Sequence, residues 1–305
     1  MILLKLIETL PNISEGRNSE LIRQIKNLAD NFDKVWFISC KSDEYFNRSF
    51  ISIVGDISEI DSFLYETVKI CIEKIDLTKH SGHHPRIGAV DVVPIVPLIG
   101  VNFEEANYLV EKLSQKISND FNLPVYLYEK SARYKERQNI NNIRKGEFEF
   151  LEKKMKLPEW KPDYGPSKPH PTAGATIIGV RDFLITLDFH INTTDRWLAE
   201  QIQQELSLYA PVNVFLIRKQ NGKFSISINA KEGEISIYLL YNQVQKVIQH
   251  FGCEIERVSL PTPITGKIFL NSFKTLIGNL DGELFTIEEK LLLNSQPCKS
   301  KNPKE

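Results

Sequence analysis

RSFISIVGDISEIDSFLYETVKICIEKI, residues 48–75, contains two different apolar periods in direct succession. Its first part, RSFISIVG (48–55), is rich in β-branched and aromatic residues and predicts a strand. From residue 57 onward the apolar side chains recur every three or four positions, which predicts an amphipathic helix through residue 75. A strand followed at once by such a helix indicates a chain that mixes both kinds of element.

Further strands and helices are predicted on both sides of this stretch. They are strands at 2–9, 34–40, 89–98 and 124–128, and helices at 19–32, at about 103–120 and from near 131 toward 154. The second half is predicted to hold a strand pair at 175–191, a helix at 194–207, a hairpin at 212–229 with its turn at Asn221-Gly222, helices at 238–252 and about 267–279, and a strand at 254–260. This mixture predicts an α+β fold, an α/β sandwich with ferredoxin-like layers, rather than one doubly wound sheet.

Prolines mark two places where the regular pattern is interrupted. The strand AVDVVPIVPL (89–98) holds two prolines, and because proline has no N–H to donate, we predict that this segment either ends a strand or lies at a sheet edge. The stretch 156–174 is rich in proline and predicts an ordered loop. We therefore predict a first domain at 1–176 and a second at 177–293, followed by a polar, disordered tail at 294–305.

Length and charge narrow the class of protein. A chain of 305 residues is long enough for two domains, and its formal net charge of −1 provides no field that would hold nucleic acid or an anionic membrane. No stretch approaches the roughly 18 apolar residues of a membrane span. The apolar start at 2–10 carries Lys5 and Glu8 and reads as a strand rather than a secretory leader. Four scattered cysteines favour a reducing, cytoplasmic location.

Three of the six histidines, His80, His83 and His84, fall in HSGHHPRIGAVD (80–91), on a predicted loop before a strand. Three interpretations remain open: a polar loop, a zinc site in which Asp91 adds a carboxylate, or general acid–base catalysis. The His-Pro-Arg order favours catalysis, because Pro85 stiffens the backbone at His84 and Arg86 offers a planar fork for a carboxylate.

Two other regions carry candidate binding residues. The loop PNISEGRN (11–18), which includes Asn12, exposes backbone N–H groups near a helix start, although a plain strand-to-helix connection explains it equally. The pair Asn47-Arg48 opens a strand and is either functional or an exposed strand start. In the proline-rich loop, Lys168 is a candidate partner for a carboxylate, and a structural linker is the alternative.

Several segments together resemble glutamate formiminotransferase, the formimidoyltransferase domain of histidine catabolism. The matching segments are LPNISEG (10–16), NRSFISIVG (47–55), HSGHHPRIGAVDVVPIVP (80–97), LPVYLYEKSAR (123–133), IRKGEFE (143–149) and W-x-PD-x-GPS with the following GAT (160–176). The resemblance covers residues from about 7 to 185 and is most specific at His-Pro-Arg. The sequence ends where the fused members continue into a cyclodeaminase domain, so we expect no cyclodeaminase activity.

The resemblance implies two α/β subdomains with a folate cleft between them, and transfer of the formimino group from N-formimino-L-glutamate to N5 of tetrahydrofolate. The catalytic residue is then the histidine before Pro-Arg, His84, and the co-substrate is tetrahydrofolate, with no metal. A homodimer is also implied. The further residues expected to bind substrate or folate are Asn12, Asn47, Arg48, Arg86, Asp91, Gly165, Pro166, Ser167, Lys168 and Gly174.

The chain also departs from the family pattern. Lys41 stands at a position that is usually acidic, Glu129 stands where glycine usually follows the VYLY strand, and the second half matches poorly. Two alternatives to the formiminotransferase therefore remain: a folate-binding protein with altered or lost transfer activity, and an enzyme that acts on 5-formyltetrahydrofolate.

Overall fold

A computed structural model describes residues 5–209, 212–219, 221–232, 236–261 and 264–277. The predicted tail at 294–305 lies outside these residues. The chain divides into two compact units, one that ends at Arg181 and one that continues from Asp182. The boundary follows Arg181 rather than residue 176, because the strand Thr176–Val180 pairs within the sheet of the first unit.

Both units combine strands and helices, and the expected α+β class is confirmed. The strands are β1 Leu6–Thr9, β2 Asn12–Ile13, β3 Val35–Asp43, β4 Arg48–Asp56, β5 Val90–Ile99, β6 Val125–Leu127, β7 Thr176–Val180, β8 Leu184–Ile191, β9 Val212–Arg218, β10 Phe224–Lys231 and β11 Ile255–Ser259. The α-helices are α1 Ser19–Ala29, α2 Ile60–Lys74, α3 Phe103–Phe121, α4 Ile140–Arg144, α5 Glu147–Met155, α6 Arg196–Ser207, α7 Ile237–His250 and α8 Gly266–Ile277.

The first unit is built on a mixed seven-stranded sheet. Strands β1 and β2 both lie between β4 and β5, the strand β3 flanks β4, and β7 and β6 continue the sheet beyond β5 in parallel. The prediction that 89–98 lies at an edge was wrong, since β5 is central. Its prolines are tolerated because Pro94 falls opposite the break between β1 and β2, and Pro97 lies beyond the last residue paired with β7.

One face of this sheet is covered by α1, α2 and α3, which pack on it and on each other. The apolar stripe of α2 supplies Ile60, Phe63, Leu64 and Val68, all with no exposed surface. A capping box, in which Asn102 and Glu105 bond each other's backbone, fixes the start of α3. Burial of this stripe is the main stabilising contribution of the helix layer.

The opposite face is covered at its β5–β7–β6 end by two short helices, α4 and α5. Ile143 and Leu151 of these helices pack against Val92, Tyr126 and Ile177 of the sheet. A single helix from about 131 to 154 does not form, because Gly146 takes φ +90 and separates α4 from α5. The end of α4 therefore lies next to β5, where Arg144 contacts Asp91.

The second unit has an antiparallel four-stranded sheet in the order β11-β8-β10-β9. The predicted hairpin is present, with β9 and β10 in register from Phe224 opposite Arg218 to Ala230 opposite Val212. Helices α6 and α7 pack together, α6 against β9 and β10, and α8 packs on α7. Among the described helices, none combines the length and apolarity that a membrane span requires.

Candidate active site

His84 is held by one ring nitrogen and leaves the other available. Its Nδ1 lies 2.7 Å from Nη2 and 3.2 Å from Nε of Arg48, and 2.8 Å from the carbonyl oxygen of Pro85. A neutral imidazole either accepts at Nδ1 from Arg48 or donates from Nδ1 to Pro85, so these partners select opposite tautomers. Nε2 of His84 has no hydrogen-bond partner among the described residues, and the edge contacts of Phe46 and Phe50 frame the ring.

A buried ionic cluster lies behind the imidazole. Asp91, which has no exposed surface, accepts at Oδ2 from Nη2 of Arg48 (2.7 Å) and from Nε and Nη2 of Arg144 (2.9 and 2.7 Å). Its Oδ1 accepts from the backbone N–H of Ile87 at 2.7 Å. Nη1 of Arg48 donates to Ser14 Oγ at 3.0 Å. Two guanidinium groups thus share one carboxylate, which leaves a local excess of positive charge beside His84.

The cluster sets the protonation state of both titratable groups. Burial, followed by the positive charges of Arg48 and Arg144, lowers the pKa of His84 to about 4, although Pro85 and Asp91 oppose the shift. Burial raises the pKa of Asp91, but Arg144 and Arg48 more than offset this and bring it to about 2. His84 is therefore neutral and Asp91 ionised near pH 7.

Arg86 is bound by protein groups. Its guanidinium donates to Glu149 Oε1 and Oε2 (2.7 and 3.1 Å), to Glu147 Oε2 (2.8 Å) and to Nδ1 of His80 (3.0 Å). Nε2 of His80 lies 3.2 Å from the carbonyl oxygen of Asn47. This chain of contacts ties α5 to the loop that carries His84. It favours a positioning role for Arg86 over direct contact with a substrate carboxylate.

Asn47 connects two loops next to Arg48. It takes a left-handed backbone, φ +48, which asparagine tolerates better than most residues. Its side chain accepts from the N–H of Gly16 (2.9 Å) and donates to the carbonyl oxygen of Ser81 (3.1 Å). Asn47 thereby fixes the approach of the chain to Arg48 and the loop before His84.

Asn12 carries a buried acceptor without a partner among the described residues, its Oδ1. It stands opposite Phe50 in the β2–β4 register. Because Ile51 and Ile53 point into the core beneath the helices, their neighbour Phe50 projects from the other face of the sheet. Cross-strand partners share a face, so Asn12 lies on the same side as Phe50 and His84.

The proline-rich loop is anchored at both ends. Near its start, the buried side chain of Asp163 pairs with Arg137 at 2.7 Å, and Gly165 packs closely on Ser118 of α3. At its end, a Cβ on Gly174 would lie 2.0 Å from the carbonyl oxygen of Ile87. Gly174 thus abuts the chain between His84 and Asp91. Pro166, Ser167 and Lys168 are exposed.

The structure therefore brings some predicted residues together and leaves others apart. Those gathered around His84 or its loop are Asn47, Arg48, Arg86, Asp91 and Gly174, with Asn12 on the same face of the sheet. Arg144, Glu147 and Glu149 were missed. They lie within IRKGEFE (143–149), a segment that matches the family, but no residue pattern in it singled out Arg144 as a partner of Asp91.

The metal interpretation lacks a ligand set in this region. Among the described residues, no three His, Cys, Asp or Glu side chains converge on a point where an ion could bind. His80 is bonded through both ring nitrogens, and His83 stacks on Tyr45 with ring centroids 4.4 Å apart. The three histidines thus make separate contacts.

Comparison with known proteins gives a consistent picture. The model of the formiminotransferase domain, N-terminal subdomain, matches residues 6–181. A glutamate formimidoyltransferase of Thermoplasma acidophilum is 36% identical over 82% of this chain and 84% of that protein. One of Streptococcus pyogenes is 38% identical over 65% of this chain and 66% of that protein. The formimidoyltransferase-cyclodeaminase of Mus musculus is 36% identical over 62% of this chain, but the match spans only 35% of its length.

Proposed function

The chain belongs to the formiminotransferase family, and from this we propose that it transfers the formimino group of N-formimino-L-glutamate to N5 of tetrahydrofolate. His84 serves as the general acid and base. The observation that carries the proposal is the state of its ring: Nδ1 is held by Arg48 and Pro85, while Nε2 has no partner among the described residues and is available to a substrate.

One imidazole nitrogen suffices for both proton transfers. When Nδ1 donates to the carbonyl oxygen of Pro85, Nε2 is an acceptor. As N5 bonds to the amidine carbon, Nε2 takes the N5 proton, and the imidazolium then returns it to the departing amine of glutamate when the carbon–nitrogen bond breaks. The low pKa makes this imidazolium a strong acid towards the leaving nitrogen.

The charge of the cluster fits an anionic substrate. Arg48 and Arg144 together carry one more positive charge than Asp91 neutralises. Nη1 of Arg144 has no hydrogen-bond partner among the described residues, and its side chain is 13% exposed. We propose that Arg144, rather than Arg86, contacts a substrate carboxylate, since a guanidinium with a spare donor is suited to one.

The surface beside His84 suits a flat, polar heterocycle such as that of tetrahydrofolate. Phe50 is 36% exposed and lies with its ring centroid 6.1 Å from that of His84. Asn12 Oδ1 is a buried acceptor on the same face, and an N–H group of a ligand would satisfy it. The aromatic side chain can stack on the face of a ligand ring, and the acceptor can bind an N–H at the edge of that ring.

A turnover assay tests the proposal. Purified protein is mixed with tetrahydrofolate and N-formimino-L-glutamate, and formation of 5-formiminotetrahydrofolate is followed by absorbance. Release of glutamate in equal amount is measured in the same samples. Stoichiometric formation of both products is expected, and absence of both would refute the transfer.

A binding measurement separates the transferase from the folate-binding alternative. Calorimetry with tetrahydrofolate and with 5-formyltetrahydrofolate is run on the protein used for the turnover assay. Folate binding without glutamate release identifies a binding protein, and consumption of 5-formyltetrahydrofolate alone identifies the other enzyme. Either result would contradict the proposed reaction.

A further inference from the structure

Lys154 lies outside the candidate active site but is connected to it through the end of α4. The residue lies on α5, and its ammonium donates to the backbone carbonyl oxygens of Asn142, Ile143 (2.7 Å) and Lys145 (3.1 Å). Two of these residues are in the last turn of α4 and the third directly follows it. Three N–H donors thus meet three carbonyl oxygens at one helix end.

The end of α4 needs such a partner. No N–H group within a helix donates to its last carbonyl oxygens. In addition, α4 has only five residues, too few to be stable alone. A positive charge at a helix C-terminus also interacts favourably with the helix dipole. Trp160, whose ring centroid is 4.0 Å from the ammonium, closes its other side.

The residue held in this way is Arg144, the last of α4. Its Nε and Nη2 both donate to Oδ2 of Asp91, at 2.9 and 2.7 Å. Asp91 in turn accepts from Arg48, which contacts His84. The charged groups that act on His84 therefore come from three elements: Arg48 on β4, Asp91 on β5 and Arg144 on α4.

We propose that Lys154 is a positioning residue of this site, which fixes the end of α4 and so holds Arg144 against Asp91. In this role it serves the proposed transfer reaction without touching substrate. Without Lys154, the three carbonyl groups lose their donors and the last turn of α4 loosens. Arg144 then leaves Asp91 for solvent, and the imidazole of His84 loses one of its two neighbouring positive charges.

The position of Lys154 is unfavourable for a charged ammonium, mainly because it is partly buried. Burial, followed by the charges of Lys145 and Arg137, lowers the pKa of Lys154 to about 8. The hydrogen bonds to three carbonyl oxygens compensate for the loss of hydration of this ammonium. Lys153, its neighbour on α5, is exposed and lies over the ring of Phe150 instead, which makes it a matched control.

The test measures the pKa of the His84 imidazole by NMR titration of the whole chain, with its signal assigned by its loss in His84→Gln. Lys154→Met is expected to raise this pKa by about one unit from its value near 4, because a neighbouring positive charge is lost. Lys154→Arg, which keeps the charge and the donors, and Lys153→Met, which removes an equal charge on the same helix, are expected to leave it unchanged.

An unchanged pKa of His84 in folded Lys154→Met would overturn the proposal, as would an equal rise in Lys153→Met, which would indicate a general charge effect. If Lys154→Met does not fold, Lys154→Gln replaces it, and a rise there supports the proposal while none overturns it. The titration needs no turnover. A protein without transferase activity in which Lys154→Met still raises the pKa would refute the proposed function alone.

Discussion

The two partners of His84 Nδ1 favour different tautomers of the ring. Arg48 can only donate, and the carbonyl oxygen of Pro85 can only accept, so each stabilises one neutral tautomer. Either neutral tautomer of His84 is thereby accommodated without movement of the ring. The aromatic edges of Phe46 and Phe50 limit its rotation. The ring is thus held in one place whichever of its nitrogens carries the proton.

Left-handed backbone explains one departure from the family pattern. Glu129 lies two residues after the end of β6 and has φ +51. Glycine adopts this conformation without the steric cost that a side chain brings. The turn after the strand therefore favours glycine at this position, and this chain makes the same left-handed turn with a glutamate.

At Arg86, the contacts predict which kinetic constant a substitution changes. Arg86→Lys removes the fork that binds Glu147 and Glu149 and the donor to His80. We expect kcat to fall by about tenfold or more with little change in KM for N-formimino-L-glutamate, because the loop is misplaced but no substrate contact is lost. Glu149→Gln should change the same constant in the same direction. A selective rise in KM would instead assign Arg86 to substrate binding.

Among the elements, the proline-rich loop offers a direct test of its anchoring. A Cβ at Gly174 would meet the carbonyl oxygen of Ile87, whereas a Cβ at Gly222 in the β9–β10 hairpin would meet nothing within 4 Å. Both glycines have positive φ, +69 and +81. The steric clash thus distinguishes two positions that share the same backbone penalty.

We expect Gly174→Ala to destabilise the protein by about 2 kcal/mol or more and to lower activity, because the loop must move away from the chain that carries His84. Gly222→Ala should cost about 1 kcal/mol, which reflects its positive φ alone, with activity retained. Urea denaturation and turnover of both variants check this. Equal losses of stability would show that the contact with Ile87 does not matter.

The periodicity of apolar residues predicted those elements that are formed by contacts between residues close in sequence. The helix α2 and the β9–β10 hairpin were found from their apolar spacing and from Asn221-Gly222. The central position of β5 could not be predicted in this way. Pro94 is tolerated because it lies opposite the break between β1 and β2, and this arrangement depends on how three strands pair. Periodicity also missed the division of α4 from α5 at Gly146.

The site could be predicted only in part for the same reason. His84 stood out through its neighbours Pro85 and Arg86 and through the family resemblance. Arg144 did not, because its partner Asp91 lies 53 residues away and the pairing depends on where α4 ends. Arg86 was expected to bind a substrate carboxylate. The sequence could not show that Glu147 and Glu149 would reach it from α5.

For the whole molecule, the same cluster predicts how stability depends on pH. The pKa of His84 is lowered to about 4, so the unfolded chain, whose histidine titrates at its ordinary value near 6.5, takes up a proton first as pH falls. Stability should therefore decrease by about 3 kcal/mol between pH 6.5 and 4 from this group. Asp91, with a pKa of about 2, adds a second decrease below its ordinary range near 3.8.

Urea denaturation of the wild type and His84→Gln between pH 7 and 4 isolates the first contribution. The variant lacks the titrating ring, so its stability should fall less steeply, and the difference between the two proteins should change by about 3 kcal/mol over this range. Parallel curves for the two proteins would show that the pKa of His84 is not lowered on folding.

The proposed role of His84 is tested by measuring kcat for formimino transfer in the wild type, His84→Gln and His83→Gln, each with its affinity for tetrahydrofolate. His83 is the adjacent histidine, exposed and stacked on Tyr45, and serves as the control. We expect His84→Gln to lower kcat by about 10²- to 10⁴-fold while folate affinity stays within tenfold, and His83→Gln to retain most turnover. Turnover in His84→Gln equal to that of the wild type would contradict the proposed role.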